Sequence, residues 1–414
     1  MQPDLQSTEH TFSDGLFTVG DPVTHWSVRA TKQVGYEVRV EENLLSVANR
    51  AILEDAVEGE TVRRFIVVDS VVDELYGTRI RNYFDHHGVD YHLLVLPAGE
   101  PAKNMELVLK VIDGLDTFGI DRRREPVIAI GGGVLMDIVG FAASMYRRAT
   151  PWIRIPTTLI GLVDAGVGAK TGVNNDGHKN RLGTYFPADR TLLDRTFLNT
   201  LDDRHIGNGL AEILKIALIK DARLFDLLEQ YGEELVRDRL QRPAEPVTAE
   251  DLAASPGRAA DPATEVIERA IHGMLEELQP NLWEKVLERV VDYGHSFSPV
   301  IEMHALPELL HGEAVAVDMA LTTVVAEQRG LLDAEERRRI LRVISALGLP
   351  AWHETCTPKL LIPALRDTVR HRDGLQRLPL PVGIGAATFV NDLTEDELDA
   401  AAQKLADLHW GDSE

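Results

Sequence analysis

Three separate segments of the chain carry side chains of the types that bind divalent metals in enzymes. The segment GLAEILK contains Glu212 and Lys215, which share one face if the segment is helical. The segments YGHSFSP and HGEAVAV add His295 and His311. One glutamate and two histidines are typical of a catalytic zinc site that keeps a coordination position open for substrate. The spacing alone also fits a simpler arrangement, in which Glu212 and Lys215 form a helix ion pair and both histidines are core residues.

A run of three glycines, Gly131 to Gly133, indicates a nucleotide site. It follows the apolar stretch 126–130, which is typical of a buried parallel strand, and precedes a helix-like segment. Glycines at such a turn let backbone N–H groups approach a diphosphate, and the helix N-terminus favours negative charge. Two further segments, PTTLI at 156–160 and DAGVGAKTGVN at 164–174, are dense in glycine and polar residues. Together they favour a nucleotide and phosphate site.

Basic residues near these motifs are candidates for binding phosphate or sugar hydroxyls. Lys170 and Lys179 lie in segments that we interpret as glycine-rich loops, and the remaining candidates are Lys215, Arg148 and Arg181. Scattered surface cations are the alternative interpretation for this set.

The elements that must position these residues alternate between short apolar strands and helices from residue 35 onward. Strands are predicted at 36–40, 65–68, 92–96, 127–130 and 152–155, with helices near 70–87 and 103–118. This alternation predicts a mostly parallel sheet covered by helices, whose ligands lie at the carboxyl ends of the strands. Beyond about residue 193 helical periodicity dominates, and helices are predicted at 209–220, 265–278, 282–291, 312–327 and 334–347.

The predicted architecture is therefore an α/β Rossmann-like nucleotide-binding domain followed by a mainly α-helical metal-binding domain. We place a polar N-terminal extension at 1–27, the nucleotide domain at 28–195 and the helical domain at 196–414. Residues 242–264, rich in Pro, Ala, Asp and Glu, are expected to form a flexible insertion.

Composition narrows the class of protein. The formal net charge of −23 argues against nucleic acid or an anionic membrane surface as a partner. The single cysteine cannot form an intrachain disulfide, and no apolar run approaches the roughly 20 residues of a membrane helix. The N-terminal residues do not have the pattern of a secretory signal. We expect a cytoplasmic protein that acts on a small molecule.

The motifs, taken in order, resemble those of the sugar phosphate cyclases, the superfamily of 3-dehydroquinate synthase. The resemblance covers about residues 35–385 and rests on GGGVLMDIVGFAAS, RIPTTLIGLVDAGVGAKTGVN, HKNRLGTY, GLAEILK, YGHSFSP and HGEAVAV. It implies a bound NAD⁺, a divalent metal (zinc, with cobalt as an alternative), a sugar phosphate substrate and a homodimer.

The resemblance also assigns residues. It implies that Glu212, His295 and His311 bind the metal. It implies that the NAD site is lined by Asp69, Glu100, Lys103, Gly132, Gly133, Asp137, Thr157, Thr158, Asp164, Lys170 and Lys179. The substrate would face Lys170, Lys179, Asn180, Lys215 and Asp292, with Arg148 on its phosphate.

Departures from the dehydroquinate synthase pattern indicate a different substrate. Glu288, Asp292 and Pro299 stand where that family has arginine, asparagine and a second histidine, and Met274 stands at a substrate lysine. Acidic groups at this end of the pocket disfavour a carboxylated substrate and suit a neutral polyol. The segments PNLWE, VDYGHSFSP and DGLQRLPLP resemble the 2-epi-5-epi-valiolone synthase branch, which implies sedoheptulose 7-phosphate as substrate.

The implied reaction uses NAD⁺ transiently, eliminates phosphate and closes a carbocycle by aldol addition. The alternatives are a cyclase that makes 2-epi-valiolone or desmethyl-4-deoxygadusol, 3-dehydroquinate synthase itself, a metal-dependent polyol dehydrogenase, and a sugar phosphate sensor on an inactive scaffold.

Overall fold

A computed structural model of the protein describes residues 14–19, 24–55, 61–241 and 261–411. The contact pattern separates residues 1–36 from residues 37–414. In the first unit, strands β1 (Gly15–Val19) and β2 (His25–Arg29) form an antiparallel hairpin. Strand β1 lies within the predicted polar extension, whereas β2 runs two residues past its predicted end at residue 27. The predicted boundary between residues 195 and 196 stays a prediction.

A six-stranded parallel sheet forms the core of the N-terminal half, which confirms the predicted α/β class. Its strand order is β3-β10-β7-β6-β4-β5. The strands are β3 (Glu37–Val40), β4 (Arg63–Asp69), β5 (Asp90–Leu96), β6 (Val127–Gly131), β7 (Trp152–Pro156) and β10 (Arg190–Leu193). The central strands read as continuous apolar runs because helices cover both faces of the sheet. Residues 65–68, for example, are fully buried.

Three helices connect the strands and begin at the edge where the carboxyl ends meet. They are α1 (Ser70–His86), α2 (Met105–Phe118) and α3 (Gly133–Met145). Side chains of Asp69 and Asn104 cap α1 and α2, each accepting a backbone N–H of the first turn. Helix α3 begins at the glycine run with no side-chain cap. This edge therefore carries the nucleotide motifs, as predicted.

The glycine-rich stretch after β7 is an antiparallel hairpin, so the prediction of loops at Lys170 and Lys179 was wrong. Strand β8 (Lys170–Asn175) pairs with β9 (His178–Tyr185). Gly172 and Gly183 face each other across the pair, and a Cβ on Gly172 would lie 2.6 Å from the Leu182 carbonyl oxygen. The glycines therefore permit close approach of two strands, where the sequence had been interpreted as glycine-rich loops.

The C-terminal half is mainly helical, as predicted. Its helices are α4 (Asp203–Ile219), α5 (Ala222–Arg237), α6 (Pro262–Leu278), α7 (Ser298–Ala305), α8 (His311–Gln328), α9 (Ala334–Ala346), α10 (Pro358–His371) and α11 (Glu395–Gly411). Strands β11 (Leu378–Pro381) and β12 (Ala387–Val390) form a small hairpin. Helices α4 and α8 lie at the centre, and residues 314–326 of α8 are buried throughout.

Helix α4 packs tightly against the nucleotide half. A Cβ on Gly209 would lie 2.5 Å from Cγ of Leu159, so only glycine allows this approach. The contact joins the helix that carries Glu212 to the loop that carries Thr157 and Thr158.

The helix predicted at 282–291 is not formed. Residues 282–289 are irregular, and only Val290–Asp292 form a short 3₁₀ turn. The Asn281 side chain bonds the backbone of Val286 in both directions, and Glu284 has a φ of 51°. Local side-chain bonds and one left-handed residue replace the helical bonds here.

Most of the predicted insertion at 242–264 lies outside the described residues, and its last residues, from Pro262, begin α6. Within the described ranges, no helix combines the length and the apolar character needed to cross a bilayer.

Candidate active site

The glycine run forms an open cradle at the N-terminus of α3. Gly131 ends β6, Gly132 precedes the helix, and Gly133 is its first residue. A Cβ on Gly132 would lie 3.3 Å from Thr158 Cγ2, and one on Gly133 would lie 3.4 Å from Ala165 Cβ. Because no side chain caps the helix, its first N–H groups are available to an anion. These features fit the diphosphate of a dinucleotide.

Three of the predicted nucleotide residues, Asp69, Thr157 and Thr158, lie against this cradle. Asp69 directs Oδ2 towards Gly131 while its Oδ1 caps α1. Thr157 donates its N–H to the Gly131 carbonyl, and Thr158 Oγ1 accepts the N–H of Gly161 at 3.2 Å. One main-chain bond therefore holds the Thr157–Thr158 turn against the glycine run.

Lys103 is a buried cation between the nucleotide residues and the β8–β9 hairpin. Its Nζ lies 2.5 Å from Asp137 Oδ2 and donates to Asn180 Oδ1 at 2.6 Å. Burial lowers the pKa of Lys103, but the carboxylates of Asp137 and Glu100 outweigh burial, so its pKa is raised. The lysine therefore stays charged and fixes the hairpin beside the cradle.

The predicted metal ligands also meet in space. One ligand atom from each of Glu212, His295 and His311 lies within 4.8 Å of the others. Among the described residues, these three form the group of His, Cys, Asp or Glu side chains that is close enough to hold a metal ion. The histidine Nε2 atoms lie 3.5 and 3.2 Å from Glu212 Oε1. The imidazoles are 25% and 27% exposed, whereas the Glu212 side chain is fully buried. The cluster is therefore closed behind Glu212 and open to solvent at its two histidines.

The electrostatics of this cluster fit a divalent cation. Both carboxylate oxygens of Glu212 are buried without a well-aligned hydrogen bond from a described residue, although Lys215 Nζ lies 2.6 Å from Oε2. Burial raises the pKa of Glu212, but Lys215 and the two histidines hold it well below its usual value. Burial lowers the pKa of His295 to about 4, so this imidazole is neutral and can act as a ligand. Burial and Lys179 lower the pKa of His311, but Glu212 and Glu302 outweigh them and raise it to about 9, so a metal would displace a proton from this ring. One carboxylate and two imidazoles suit zinc or cobalt.

Lys215 connects the metal cluster to the nucleotide loop. It is buried, and its Nζ lies 2.6 Å from Glu212 and 3.9 Å from Asp164 Oδ1. Burial lowers its pKa, but the charges of Glu212 and Asp164 outweigh burial and the pKa is raised. The metal cluster and the nucleotide loop therefore share one charged residue.

Glu302, on α7, is a site residue that sequence analysis missed. It accepts two bonds from Lys179 Nζ at 2.6 and 2.7 Å, and its Oε2 lies 2.9 Å from His311 Nδ1. Burial raises its pKa, but His311 and Lys179 outweigh burial and lower it to about 2. A carboxylate behind a metal-binding histidine typically fixes the orientation of the ring. The only sequence signal was an isolated acid in the apolar stretch 297–303.

The acidic residues Glu284 and Asp292 are each paired with cations. Glu284 pairs with Lys170 and with Arg289. Asp292 lies 3.2 Å from Arg289 and 3.9 Å from Arg372. From sequence, Glu288 and Asp292 were expected to repel a carboxylate. The structure places the Arg377 guanidinium 3.8 Å from Glu288, and Arg289 and Arg372 beside Asp292.

Arg148, predicted to bind phosphate, is exposed on the turn Tyr146–Arg148 after α3, and the described interactions do not join it to the cluster.

Comparisons with known proteins agree with the motifs. The family models described as 3-dehydroquinate synthase N-terminal and C-terminal match residues 93–208 and 209–370. A 2-epi-5-epi-valiolone synthase from an Actinoplanes species is 60% identical over 378 residues, covering 91% of this chain and 92% of that protein. A demethyl-4-deoxygadusol synthase from Trichormus variabilis is 39% identical, covering 91% of this chain and 89% of that protein.

A solved structure gives the same result. ValA, a 2-epi-5-epi-valiolone synthase from Streptomyces hygroscopicus subsp. jinggangensis 5008 with NAD⁺ and Zn²⁺ bound, superposes with a TM-score of 0.85 and 56% identity. The alignment covers 92% of this chain and 100% of that one. These matches confirm the resemblance read from the motifs, and the chain belongs to the 3-dehydroquinate synthase family.

Proposed function

We propose that this chain converts sedoheptulose 7-phosphate to 2-epi-5-epi-valiolone with release of inorganic phosphate. The observation that carries the proposal is the position of Lys215, whose ammonium adjoins both the Glu212 cluster and Asp164 of the nucleotide loop. A substrate hydroxyl beside Lys215 would lie between a metal and a nicotinamide. The 60% identity to a 2-epi-5-epi-valiolone synthase supports this product over that of the 39% identical demethyl-4-deoxygadusol synthase.

The proposed cofactors are NAD⁺, held by the cradle at Gly132 and Gly133, and Zn²⁺ or Co²⁺, held by Glu212, His295 and His311. When bound, NAD⁺ would supply reversible hydride transfer and the metal would polarise a substrate oxygen, so that no net oxidation accompanies the cycle.

Lys170 and Lys179 are proposed to receive the substrate phosphate. They project from opposite ends of the β8–β9 hairpin, and each is held by a carboxylate of the helical half, Glu284 for Lys170 and Glu302 for Lys179. Cations positioned in advance stabilise the charge that develops on a leaving phosphate. Asn180, next to Lys179, is held by Lys103, and Arg148 remains a further candidate for phosphate binding.

Lys215 is proposed to act as a hydrogen-bond donor to the substrate. Because its pKa is raised, the ammonium keeps its proton near neutral pH and is a poor general base. Its position against Glu212 suits donation to the oxygen that the metal would polarise. Pro299, at the start of α7, has no side-chain group that could accept a proton. We therefore propose that the substrate's own phosphate removes the proton during elimination.

To test this proposal, purified protein is incubated with NAD⁺ and either Zn²⁺ or Co²⁺. Sedoheptulose 7-phosphate is the substrate in one assay, and the dehydroquinate precursor is the substrate in a parallel assay. We expect phosphate release and a C7 cyclitol, identified by NMR, from the first substrate only, without accumulation of NADH. Turnover of the second substrate alone would refute the proposed substrate. Stoichiometric NADH would indicate a polyol dehydrogenase instead.

A matched pair of variants tests the site. Glu212→Gln is expected to lose bound metal and more than about 100-fold in turnover, beyond the effect typical of residues behind the ligands. Glu327→Gln is the control, because Glu327 lies on α8 with His311 but pairs with Lys404 and Arg337 at its far end. Equal loss in both variants would contradict the assignment, and a sensor would keep its ligand response in Glu212→Gln.

We further propose a cytoplasmic homodimer. The single cysteine, Cys356, is buried, and burial raises the pKa of its thiol to about 12, so it suits a reducing compartment. Light scattering that returned the mass of one chain would refute the dimer.

A further inference from the structure

Asp318 is a buried carboxylate outside the group formed by Glu212, His295 and His311. It lies on α8, seven residues after His311 and therefore on the same side of the helix two turns further along. Its side chain is fully buried. Oδ2 accepts the backbone N–H of Phe297 at 2.6 Å and that of Ser298 at 2.8 Å.

The segment that Asp318 binds is the one that carries His295. Gly294 adopts a φ of 72°, the His295 N–H bonds the Asp292 carbonyl, and His295 Nδ1 lies 3.0 Å from the Tyr293 carbonyl. These contacts fix the chain before the histidine. After the histidine, Asp318 accepts hydrogen bonds from the N–H groups two and three residues beyond His295. One side chain thus ties the turn that carries His295 to the helix that begins with His311.

This arrangement is unfavourable if Asp318 serves packing alone. Its second oxygen, Oδ1, is buried without a hydrogen-bond partner among the described residues. A buried carboxylate with an unused oxygen costs free energy that an apolar side chain of similar size would not. The backbone N–H groups of Phe297 and Ser298 explain why an acid is present, because an apolar side chain could not accept hydrogen bonds from them.

We propose that Asp318 is a positioning residue, which sets the distance between His295 and His311 by holding the backbone that follows His295. The proposal rests on the proposed metal site, because the two histidines are its ligands. Asp318 acts through the acceptor position of Oδ2, so a neutral acceptor at the same position should serve as well, whereas a displaced carboxylate should not.

The test uses Co²⁺ as the probe, with affinity measured by chelator competition and ligand geometry by the visible absorption spectrum. Asp318→Asn keeps an oxygen in place and loses the charge, while Asp318→Glu keeps the charge and moves it by one methylene. We expect Asp318→Asn to bind Co²⁺ within about threefold of the unmodified protein. Asp318→Glu should lose about 10- to 100-fold in affinity and change the spectrum.

Asp194→Glu is the matched control. Asp194 is equally buried and also binds two backbone N–H groups, of Leu44 and Thr196, but in the other half of the chain. The Asp194→Glu variant should have the same cobalt affinity and absorption spectrum as the unmodified protein. Asp318→Glu that binds Co²⁺ as the unmodified protein does, or Asp318→Asn that loses more than about tenfold, would overturn the proposal. If Asp318→Glu does not fold, judged by circular dichroism, the affinity of Asp318→Asn decides alone.

The two proposals fail differently. If the unmodified protein gives no cobalt spectrum, the proposed metal site is wrong. If it gives the spectrum and the Asp318 variants do not differ as described, only the positioning role is wrong.

Discussion

Replacing Asp318 with asparagine should change the pH dependence of folding in a direction that the structure determines. Burial raises the pKa of Asp318 from 3.8 to about 6, against the opposing effect of backbone N–H bonds from Phe297 and Ser298. Between these two values the folded protein holds a proton that the unfolded chain has released. The free energy of unfolding therefore falls as pH rises through this window, and the loss is complete above the folded pKa.

The size of the effect follows from the shift. A difference of about two between the folded and unfolded pKa values corresponds to about 3 kcal/mol well above pH 6. At about pH 5 roughly half of this loss has developed, so about 1–2 kcal/mol remains to be lost by about pH 8. Asparagine does not titrate. The stability of Asp318→Asn relative to the unmodified protein should therefore increase by about 1–2 kcal/mol between these pH values.

The assay is urea unfolding of both proteins at the two pH values, with EDTA present so that metal binding does not contribute. Asp194→Asn is the control, because that carboxylate accepts three hydrogen bonds, and its loss is expected to lower stability at both pH values. A difference between Asp318→Asn and the unmodified protein that stays constant, or that shrinks as pH rises, would refute the reasoning about the buried charge.

Three further predictions follow from other contacts. Glu284→Gln should release Lys170 from its carboxylate and strengthen inhibition by inorganic phosphate several-fold; unchanged inhibition would contradict competition between Glu284 and phosphate. Gly209→Ala should lower the free energy of unfolding by about 1–3 kcal/mol through overpacking, whereas Gly35→Ala, with open space around its Cβ, should change little. Arg154→Met should raise the KM for NAD⁺, because the Arg154 guanidinium holds the carbonyls of residues 165, 166 and 168; an unchanged KM would exclude this role.

The parallel sheet was predictable because its strands are buried on both faces. Such strands read as uninterrupted apolar runs, and residues 65–68 and 127–130 could be located to within a few residues. The segment 282–291 has helical composition but is irregular, because Glu284 takes a left-handed conformation and contacts Lys170 and Tyr185 of the hairpin. Those partners are remote in sequence, so no local pattern could predict the interruption.

The residues of the candidate site also differ in how well local sequence could place them. Residues next to the glycine run could be placed because a strand, a turn and a helix follow one another along the chain. Glu212 and His295 are far apart in sequence, so only the family resemblance could bring them together. Glu302 and Asp318 were missed because a single acid in an apolar helix looks the same whether it pairs with a lysine, caps a turn or faces solvent.

The β8–β9 hairpin has a consequence for how such enzymes can be recombined. Its two lysines each contact a carboxylate from the helical half, Glu284 for Lys170 and Glu302 for Lys179. A chimera that takes residues 170–185 from one relative and the helical half from another separates residues that contact each other. The natural unit of exchange is therefore discontinuous, consisting of the hairpin together with the two short stretches that contain its acidic partners, rather than either half of the chain.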